Sequence, residues 1–131
     1  MDIDTMRDFS LQTKKNEQND NNTVIHELKT IAQSFVDERD WQQFHSPKNL
    51  AISVAIEAAE LMEIFQWHNH EESVKLVNEE IKGRIQEELA DVLIYCLHMA
   101  YTTGIDITSS ILQKIERNEE KYPKKEYQGR F

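Results

Sequence analysis

Residues 51–67 read AISVAIEAAELMEIFQW, and the spacing of their side chains decides the fold. Apolar residues such as Val54 and Leu61 recur at intervals of three and four, which is typical of an α-helix with one buried face. Glu57 lies three residues after Val54 and four before Leu61, so it shares their face, and Glu60 follows one turn later. The stretch therefore predicts a core-facing helix that also carries two carboxylates.

The remainder of the chain has a similar periodicity, with only three glycines and two prolines, and it predicts an all-α fold. We expect a four-helix core bundle with a short extra helix before the third long helix. The long helices are predicted from an N-cap at Thr23 to about Arg39, from Pro47 to Trp67, from Glu79 to Thr103 with Gly104 as C-cap, and from a cap at Asp106 to the residue before Tyr122. The short acidic helix is predicted from about Val74.

The predicted organisation of the chain has three parts. Residues 1–22 form a flexible polar arm with a short helical turn near Met6 to Leu11, because the tract KKNEQNDNN at residues 14–22 has nothing to bury. Residues 23–123 form one helical domain, since a chain of 131 residues supports a single ordinary core. Residues 124–131 form a C-terminal tail.

The composition argues against several classes of protein. Twenty-four acidic against fifteen basic side chains give a net charge of −9, which disfavours binding to the phosphates of a nucleic acid. No run of eighteen apolar residues predicts a membrane span, and the N-terminus lacks the pattern of a signal peptide. Cys96 is the only cysteine, so no intrachain disulfide can form. These features predict a soluble cytoplasmic protein without a nucleic-acid or membrane partner.

A second pair of carboxylates has the same spacing as the first. Residues 87–97 read EELADVLIYCL, and they place Glu88 and Asp91 three residues apart on an apolar helix. Side chains at this spacing lie about 5 to 6 Å apart, and two bare charges about 4 Å apart repel by about 4 kcal/mol at an effective dielectric constant of about 20. The nearest basic residue, Arg84, cannot compensate two such pairs. A hard divalent cation, Mg²⁺ or Mn²⁺, suits an all-oxygen group of this kind.

The other carboxylates favour a simpler interpretation, because charged runs on helices usually face water. We assign to solvated faces Glu63, Glu71, Glu72, Glu79, Glu80 and Glu87. A di-iron bundle would share the fold class, but such sites use Glu-x-x-His on two helices, and neither pair here has a histidine at that position. His98 is predicted as a core or interface residue, and Phe44 and Phe65 as core residues.

Four blocks of sequence resemble the MazG-like all-α nucleoside triphosphate pyrophosphohydrolases, and more specifically their dCTP pyrophosphatase branch. The blocks are ERDWQQFHSPKNLA at residues 38–51, EAAELMEIFQW at 57–67, EELADVLIYCL at 87–97 and KIERNEEKYP at 114–123. They follow the family's order from about Ile31 to Pro123. Two positions differ from the family pattern: Ile56 stands where the wider family has a second glutamate, and Ala32 where the branch can have a base-contacting histidine.

The resemblance implies a four-helix core that forms a dimer or a dimer of dimers, with active sites built between protomers. It also implies Mg²⁺-dependent hydrolysis of a nucleotide between its α and β phosphates. By position, the catalytic metal ligands would be Glu57, Glu60, Glu88 and Asp91, the base pocket would include Trp41 and Trp67, and further substrate contacts would come from Lys114, Asn118 and Tyr122.

The residue types permit this chemistry independently of the resemblance. Hydrolysis of a phosphoanhydride requires neutralised phosphate charge and an activated water, and bound metal ions supply both. Polar and cationic donors are Lys114, Arg117, Asn118 and Lys121, which share one helix face, together with Arg39 and Lys48. The three glycines are isolated in the sequence, which excludes a glycine-rich phosphate loop.

The leading hypothesis is a Mg²⁺-dependent enzyme that hydrolyses a deoxynucleoside triphosphate, such as dCTP or a modified pyrimidine analogue, to the monophosphate and pyrophosphate. It would clean or balance the nucleotide pool. The alternative is a non-catalytic helical module that binds nucleotide and metal or regulates an assembly. A nucleotide that binds either protein stabilises it, but only the enzyme consumes the nucleotide.

Overall fold

The computed structural model describes residues 17–130, apart from the side chains of residues 79 and 80, and this part of the chain is helical without β-strands. The helices are α1 (Ile25–Asp37), a 3₁₀ turn (Gln42–Phe44), α2 (Pro47–Glu63), α3 (His70–Leu76), α4 (Glu79–Thr103), α5 (Ile107–Lys121) and α6 (Lys124–Tyr127). The all-α prediction is confirmed. Most of the predicted arm, including its turn near Met6 to Leu11, lies outside the described residues. Of the helices described, none is long and apolar enough to cross a membrane.

Three predicted helix ends are confirmed with their capping interactions. The Ser46 hydroxyl accepts a hydrogen bond from the Asn49 N–H at 3.2 Å, and Pro47 follows as the first residue of α2. The Asp106 carboxylate accepts from the Ser109 N–H at 2.8 Å and begins α5. Gly104 ends α4 in the left-handed conformation, with φ of 68°.

The predicted N-cap of the first helix was wrong. The cap is Val24, which makes no side-chain capping bond, and α1 ends at Asp37 rather than near Arg39. The Thr23 hydroxyl instead donates to the Asn22 side-chain oxygen at 3.0 Å. A local side-chain hydrogen bond has therefore replaced the expected cap.

Helix α2 ends four residues before the predicted Trp67, at Glu63. Beyond that point the Phe65 N–H donates to the Met62 carbonyl at 3.0 Å, and the His68 N–H donates to the Phe65 carbonyl at 3.0 Å. These bonds span three residues rather than four, so the chain tightens into turns after the α-helix. Trp67 consequently lies on a turn.

The short helix α3 begins at His70, earlier than the predicted start near Val74. Its start is fixed by a capping box, because the Asn69 side chain accepts from the Glu72 N–H at 2.9 Å and the Glu72 carboxylate accepts from the Asn69 N–H at 3.0 Å. The predicted start near Val74 left Asn69 and Glu72 outside the helix and missed the reciprocal pair.

The core is formed where α4 packs against α2 and, less extensively, against α1. Val36, Leu50, Ile64 and Ala100 are its buried apolar residues. Burying a side chain the size of leucine contributes about 1.5 to 3 kcal/mol. Packing of α2 on α4 brings the two carboxylate-bearing helices together.

Helix α5 has no comparably extensive contact with another described helix. Its apolar residues Ile111, Leu112 and Ile115 are 49%, 62% and 49% exposed. Phe44, predicted as a core residue, is also mainly exposed, because the helices of one chain do not cover the 3₁₀ turn that carries it. A single chain therefore leaves a substantial apolar surface open.

Candidate metal centre

Three of the four predicted metal ligands lie together between α2 and α4. Glu57 on α2 and Glu88 and Asp91 on α4 each offer a carboxylate oxygen, and these oxygens lie within 4.8 Å of one another. Glu57 and Glu88 are half-buried, whereas Asp91 is exposed. We refer to these three residues as the carboxylate cluster.

The charges of the cluster disfavour the ionised form of Glu57. Burial is the largest cause that raises its pKa, and repulsion from Glu60, Asp91 and Glu88 raises it further, in that order. Glu60 is outside the three-residue cluster, but its effect on Glu57 exceeds that of either carboxylate on α4. The fourth predicted ligand is therefore close enough to interact electrostatically with the cluster.

Glu88 shows the same behaviour from the opposite helix. Its pKa is raised first by burial and then by Glu60, Asp91 and Glu87, while Arg84 acts in the opposite direction. The single arginine does not cancel the combined repulsion. Both half-buried carboxylates consequently favour either a proton or a cation as a partner.

The donor set fits a hard divalent cation. Among the side chains that the structure describes, the salt bridges join Arg39 to Glu38 and His68 to Glu72, and neither involves the cluster. Carboxylate oxygens are the preferred ligands of Mg²⁺ and Mn²⁺. Oxygens on opposite sides of such an ion lie about 4 Å apart, which is the scale of this group. The residues present therefore suit the metal implied by the sequence.

The two tryptophans lie on separate segments near the ends of α2. Trp41 is on the connector, which we define as residues 38–46 between α1 and α2, and its ring packs edge-on against Phe35 with centroids 5.9 Å apart. Trp67 is 85% exposed on the turn after α2. Both rings are accessible enough to stack on a planar ligand.

An open cavity of about 570 Å³ lies between the end of α2 and α3. Its lining residues are Phe65, His68, Asn69, His70, Ser73, Val74 and Val77. The cavity adjoins the turn of Trp67 in the chain, but no member of the carboxylate cluster lines it. It is therefore separate from the metal centre in one chain.

The three predicted substrate contacts on or after α5 do not join the cluster. Lys114 is exposed, Asn118 is half-buried, and the Tyr122 ring packs on Tyr127 with centroids 5.2 Å apart. For the part of the chain that the structure describes, no hydrogen bond or ion pair links them to α2 or α4. Among the described residues, these three residues thus share no hydrogen bond or ion pair with the helices that carry the carboxylate cluster.

Arg39, predicted as a cationic donor, already has partners close to it. Its guanidinium carbon lies 3.6 Å from the centre of the Phe35 ring, and its Nη1 donates to the Phe35 carbonyl at 2.8 Å. An ion pair with Glu38 at 3.6 Å adds to these contacts. The Arg39 side chain therefore packs at the end of α1, where these contacts occupy its guanidinium group.

Sequence spacing gave no signal for His45, which the structure places against α4. Its ring lies 4.8 Å from that of His98, measured between centroids. The two residues are far apart in the sequence and share no periodic pattern, so only tertiary packing reveals the pair. His98 itself is buried, as predicted for a core residue.

Comparison with known proteins gives consistent results. A model of the MazG-like family matches residues 52–130. The chain is 35% identical over 101 residues to dCTP pyrophosphatase 1 of Bos taurus, covering 76% of this chain and 60% of that protein. For dCTP pyrophosphatase 1 of Homo sapiens the identity is 35%, with 76% and 59% covered.

A solved structure extends the similarity to the fold. The crystal structure of a pyrophosphatase from Archaeoglobus fulgidus superposes with a TM-score of 0.72 at 42% identity, covering 82% of this chain and 99% of that one. The chain spans about 60% of the length of the curated relatives it matches. On the family match and these identities, the chain belongs to the MazG-like family.

Proposed function

We propose that this chain hydrolyses a nucleoside triphosphate between its α and β phosphates, producing the monophosphate and pyrophosphate. The observation that carries the proposal is the carboxylate cluster, whose oxygens lie within 4.8 Å of one another and have no paired lysine or arginine among the described residues. Similar proteins named dCTP pyrophosphatase 1 and pyrophosphatase support the same reaction class.

Glu57, Glu88 and Asp91 would hold Mg²⁺, or Mn²⁺ in its place, and Glu60 would be the fourth ligand. When bound, the cation supplies charge neutralisation on the phosphates and lowers the barrier to attack by water. The protein holds these carboxylates on two packed helices, so their positions are fixed before substrate arrives. A carboxylate oxygen of this group that does not bind the cation accepts the proton of the attacking water.

The remaining predicted residues would bind the nucleotide. Trp41 and Trp67 are exposed enough to stack on the base, and stacking on an aromatic ring contributes about 1 to 3 kcal/mol per base. Lys114, Asn118 and Tyr122 would contact phosphate, sugar or base from α5 and the segment after it.

A second copy of the chain would complete the site. The exposed apolar side chains of α5 require a cover, and the substrate contacts on α5 do not join the carboxylate cluster within one chain. Packing of α5 against a second protomer would bury these apolar side chains. It would also bring the substrate contacts of α5 to the carboxylate cluster of the other protomer. We therefore propose a homodimer, or a dimer of dimers, with four-helix bundles and sites shared between protomers.

The substrate that we propose is dCTP or a modified pyrimidine analogue. The names of the relatives support this choice, whereas Ala32 lacks the base contact that the histidine of the family pattern can make. A role in cleaning or balancing the nucleotide pool follows from such a reaction. The cytoplasm is the location that we propose, because the single Cys96 suits a reducing compartment.

The test is a panel of canonical and base-modified nucleotides, incubated with Mg²⁺ and followed by phosphorus NMR. The expected products are monophosphate and pyrophosphate, with the highest kcat/KM for a cytosine or modified pyrimidine deoxynucleotide. Asp91→Ala should abolish the reaction, as should a chelator. Release of orthophosphate instead of pyrophosphate would contradict the proposed bond, and full activity in chelator would contradict the metal.

The second candidate function is a non-catalytic module that binds nucleotide and metal. The exposed apolar surface of α5 would equally suit a regulatory assembly. This alternative predicts that nucleotide with Mg²⁺ raises the melting temperature while the nucleotide remains intact. Consumption of the nucleotide in the same sample excludes it.

A further inference from the structure

His98 is a buried histidine with an unsatisfied ring nitrogen, which is energetically unfavourable for a residue that only fills the core. Its side chain is 4% exposed, and its Nδ1 atom has no hydrogen-bond partner in residues 17–130. A buried polar atom without a partner costs free energy that an apolar side chain would avoid. The contacts of the imidazole ring therefore decide whether His98 only fills the core.

His98 shares one face of α4 with two candidate metal ligands. Glu88, Asp91, Tyr95 and His98 follow one another at intervals of three, four and three residues, which places them along one side of the helix. The Tyr95 and His98 ring centroids are 6.2 Å apart. His98 lies about two helical turns after Asp91. A residue that packs on His98 is therefore held at that distance along α4 from the nearer candidate ligand.

The residue that packs there is His45 of the connector. The His45 and His98 rings meet edge to face, with centroids 4.8 Å apart and planes at 74°. Among the hydrogen bonds, ion pairs and ring contacts of residues 17–130, this contact is the only one that joins the connector to α4. Trp41 lies on the same connector.

The other contacts of the connector go to α1 and α2. Gln42 Nε2 donates to Asp37 Oδ1 at 2.7 Å on α1, and Asn49 Nδ2 on α2 donates to the Phe44 carbonyl at 3.0 Å. These bonds tie the connector to the helices on either side of it. The Trp41 N–H also donates to the Val36 carbonyl of α1 at 3.1 Å. None of these bonds reaches α4, which carries two of the three clustered carboxylates.

We propose that His98 is a positioning residue. Through its contact with His45 it holds the connector, and with it Trp41, against α4. Trp41 thereby keeps a fixed position relative to the candidate metal ligands on α4. Its effect on nucleotide affinity rests on the proposed function. The contact itself needs neither metal nor nucleotide, so it can be tested separately.

The surroundings of His98 favour its neutral form. Burial is the main cause that lowers the pKa of His98, and the neighbouring His45 lowers it further. His45 faces it from the connector and Tyr95 from its own helix, and among the described residues of α1 and α2 no charged side chain adds to the shift. Because the native pKa is lowered, the contact is intact above the ordinary histidine pKa and is lost as the pH falls through the lowered value.

The first test is a double-mutant cycle with His45→Ala, His98→Ala and the double variant. Each single change should raise the KM for dCTP with Mg²⁺ by about 3- to 10-fold, which is the scale of one aromatic contact, and should leave kcat within about twofold. The KM of the double variant should be no higher than the KM of the more impaired single variant. Magnesium affinity, measured by calorimetry without nucleotide, should not change. Independent, multiplying effects of the two changes would overturn the proposal.

Two further variants of His98 distinguish an aromatic contact with His45 from packing that any apolar side chain could provide. His98→Phe keeps an aromatic edge for His45 without a titratable nitrogen, so it should restore the KM. His98→Leu fills the site without a ring and should behave like His98→Ala. If leucine restored the KM as well as phenylalanine does, His98 would be a packing residue only, and the proposal would be wrong.

The last test needs no substrate and therefore survives failure of the proposed function. In a Trp67→Phe background the remaining tryptophan, Trp41, reports on the connector through its emission. Its emission should show a midpoint below the ordinary histidine pKa of about 6.5, and His98→Phe should remove that midpoint. An unchanged midpoint in His98→Phe would overturn the positioning role, whereas absence of nucleotide hydrolysis by the unmodified chain would overturn only the proposed function.

Discussion

The α2–α4 pair and helix α5 carry two parts of one proposed site, yet a single chain assembles only the first. The pair packs closely and holds three carboxylates within 4.8 Å of one another. Helix α5 leaves its apolar residues largely exposed and has no comparable packing partner. On the proposed function, this difference predicts that one protomer binds the cation by itself, whereas nucleotide binding needs a second protomer.

The largest expected effect comes from Glu88→Gln on the α4 side of the cluster. Loss of one charged ligand should reduce kcat/KM for the nucleotide by more than about 100-fold, since even residues that only support a metal ligand contribute about 10- to 100-fold. The matched control is Glu87→Gln, the preceding residue, which is exposed and outside the cluster. Equal losses in both variants would show that net charge, rather than ligation, matters at this position.

The next effect concerns α5. Leu112→Glu places a charge on the 62% exposed leucine, and burial of that charge in an interface should weaken dimerisation by about 2 kcal/mol, or about 30-fold. Sedimentation velocity at several concentrations measures it, with Gln113→Glu as a control that adds the same charge at the adjacent position. A monomeric unmodified protein, or equal dimerisation of both variants, would contradict the assembly that we propose.

Complementation between two inactive variants would sharpen the same comparison. Asp91→Ala lacks a metal ligand on α4, and Lys114→Ala lacks a substrate contact on α5. If each site combines α4 of one protomer with α5 of the other, mixed dimers contain one intact site, and an equal mixture should recover about a quarter of the native activity. A site contained in one chain recovers nothing on mixing.

Trp67→Ala should have a smaller effect, on substrate affinity. The ring is 85% exposed in one chain, so its removal costs little packing, but loss of base stacking should raise KM by about 10-fold. Unfolding in urea should give nearly the native midpoint, while steady-state kinetics show the higher KM. If kcat fell and KM did not rise, Trp67 would act on the chemical step instead of on binding.

Removal of metal should reveal the repulsion within the cluster. Because the pKa values of Glu57 and Glu88 are raised in the folded protein, their contribution to stability is present below the ordinary carboxylate pKa and is lost as the pH rises through the raised values. Mg²⁺ at ten times its dissociation constant should therefore stabilise the protein by about 1.4 kcal/mol near neutral pH. Protonation competes with the cation, so the gain should shrink as the pH falls.

Thermal melts with Mg²⁺ and with chelator, repeated at several pH values, measure this gain. Glu88→Gln should lose most of it, and Glu87→Gln should keep it. A stabilisation that does not depend on pH would mean that the cation binds away from Glu57 and Glu88.

Local signals in the sequence were sufficient for helices with strong caps. Ser46 with Pro47, and Asp106 before α5, are caps in the structure because their side-chain oxygens reach a backbone N–H three residues later. The end of α2 was missed, since the apolar pattern continues through Phe65 and Trp67 without a glycine or proline to mark the change to turns. Periodicity indicates which face is apolar, but not where the hydrogen bonding changes.

The candidate site divides in the same way. Spacing predicted that Glu57 with Glu60, and Glu88 with Asp91, would each share a helix face. The structure brings Glu57, Glu88 and Asp91 together where α2 packs on α4. The contact of His45 with His98 depends on the path of an irregular connector, which no repeat in the sequence encodes. Exposure of Phe44 could not be predicted either, since helical periodicity does not extend to the 3₁₀ turn that carries it.

The smallest expected effect concerns the N-cap of α2, which stabilises the helix but does not belong to the carboxylate cluster. Ser46→Ala removes the cap of α2, whose Asn49 N–H then loses its 3.2 Å acceptor, and this should lower the free energy of unfolding by about 1 kcal/mol. Ser46→Asn keeps a capping oxygen and should restore most of the loss. Glu57 lies about three turns along the helix, where fraying at the first turn no longer moves the backbone. Magnesium affinity should therefore stay native in both variants, and weaker binding in Ser46→Ala alone would mean that the whole of α2, rather than its packing on α4, sets the position of the cluster.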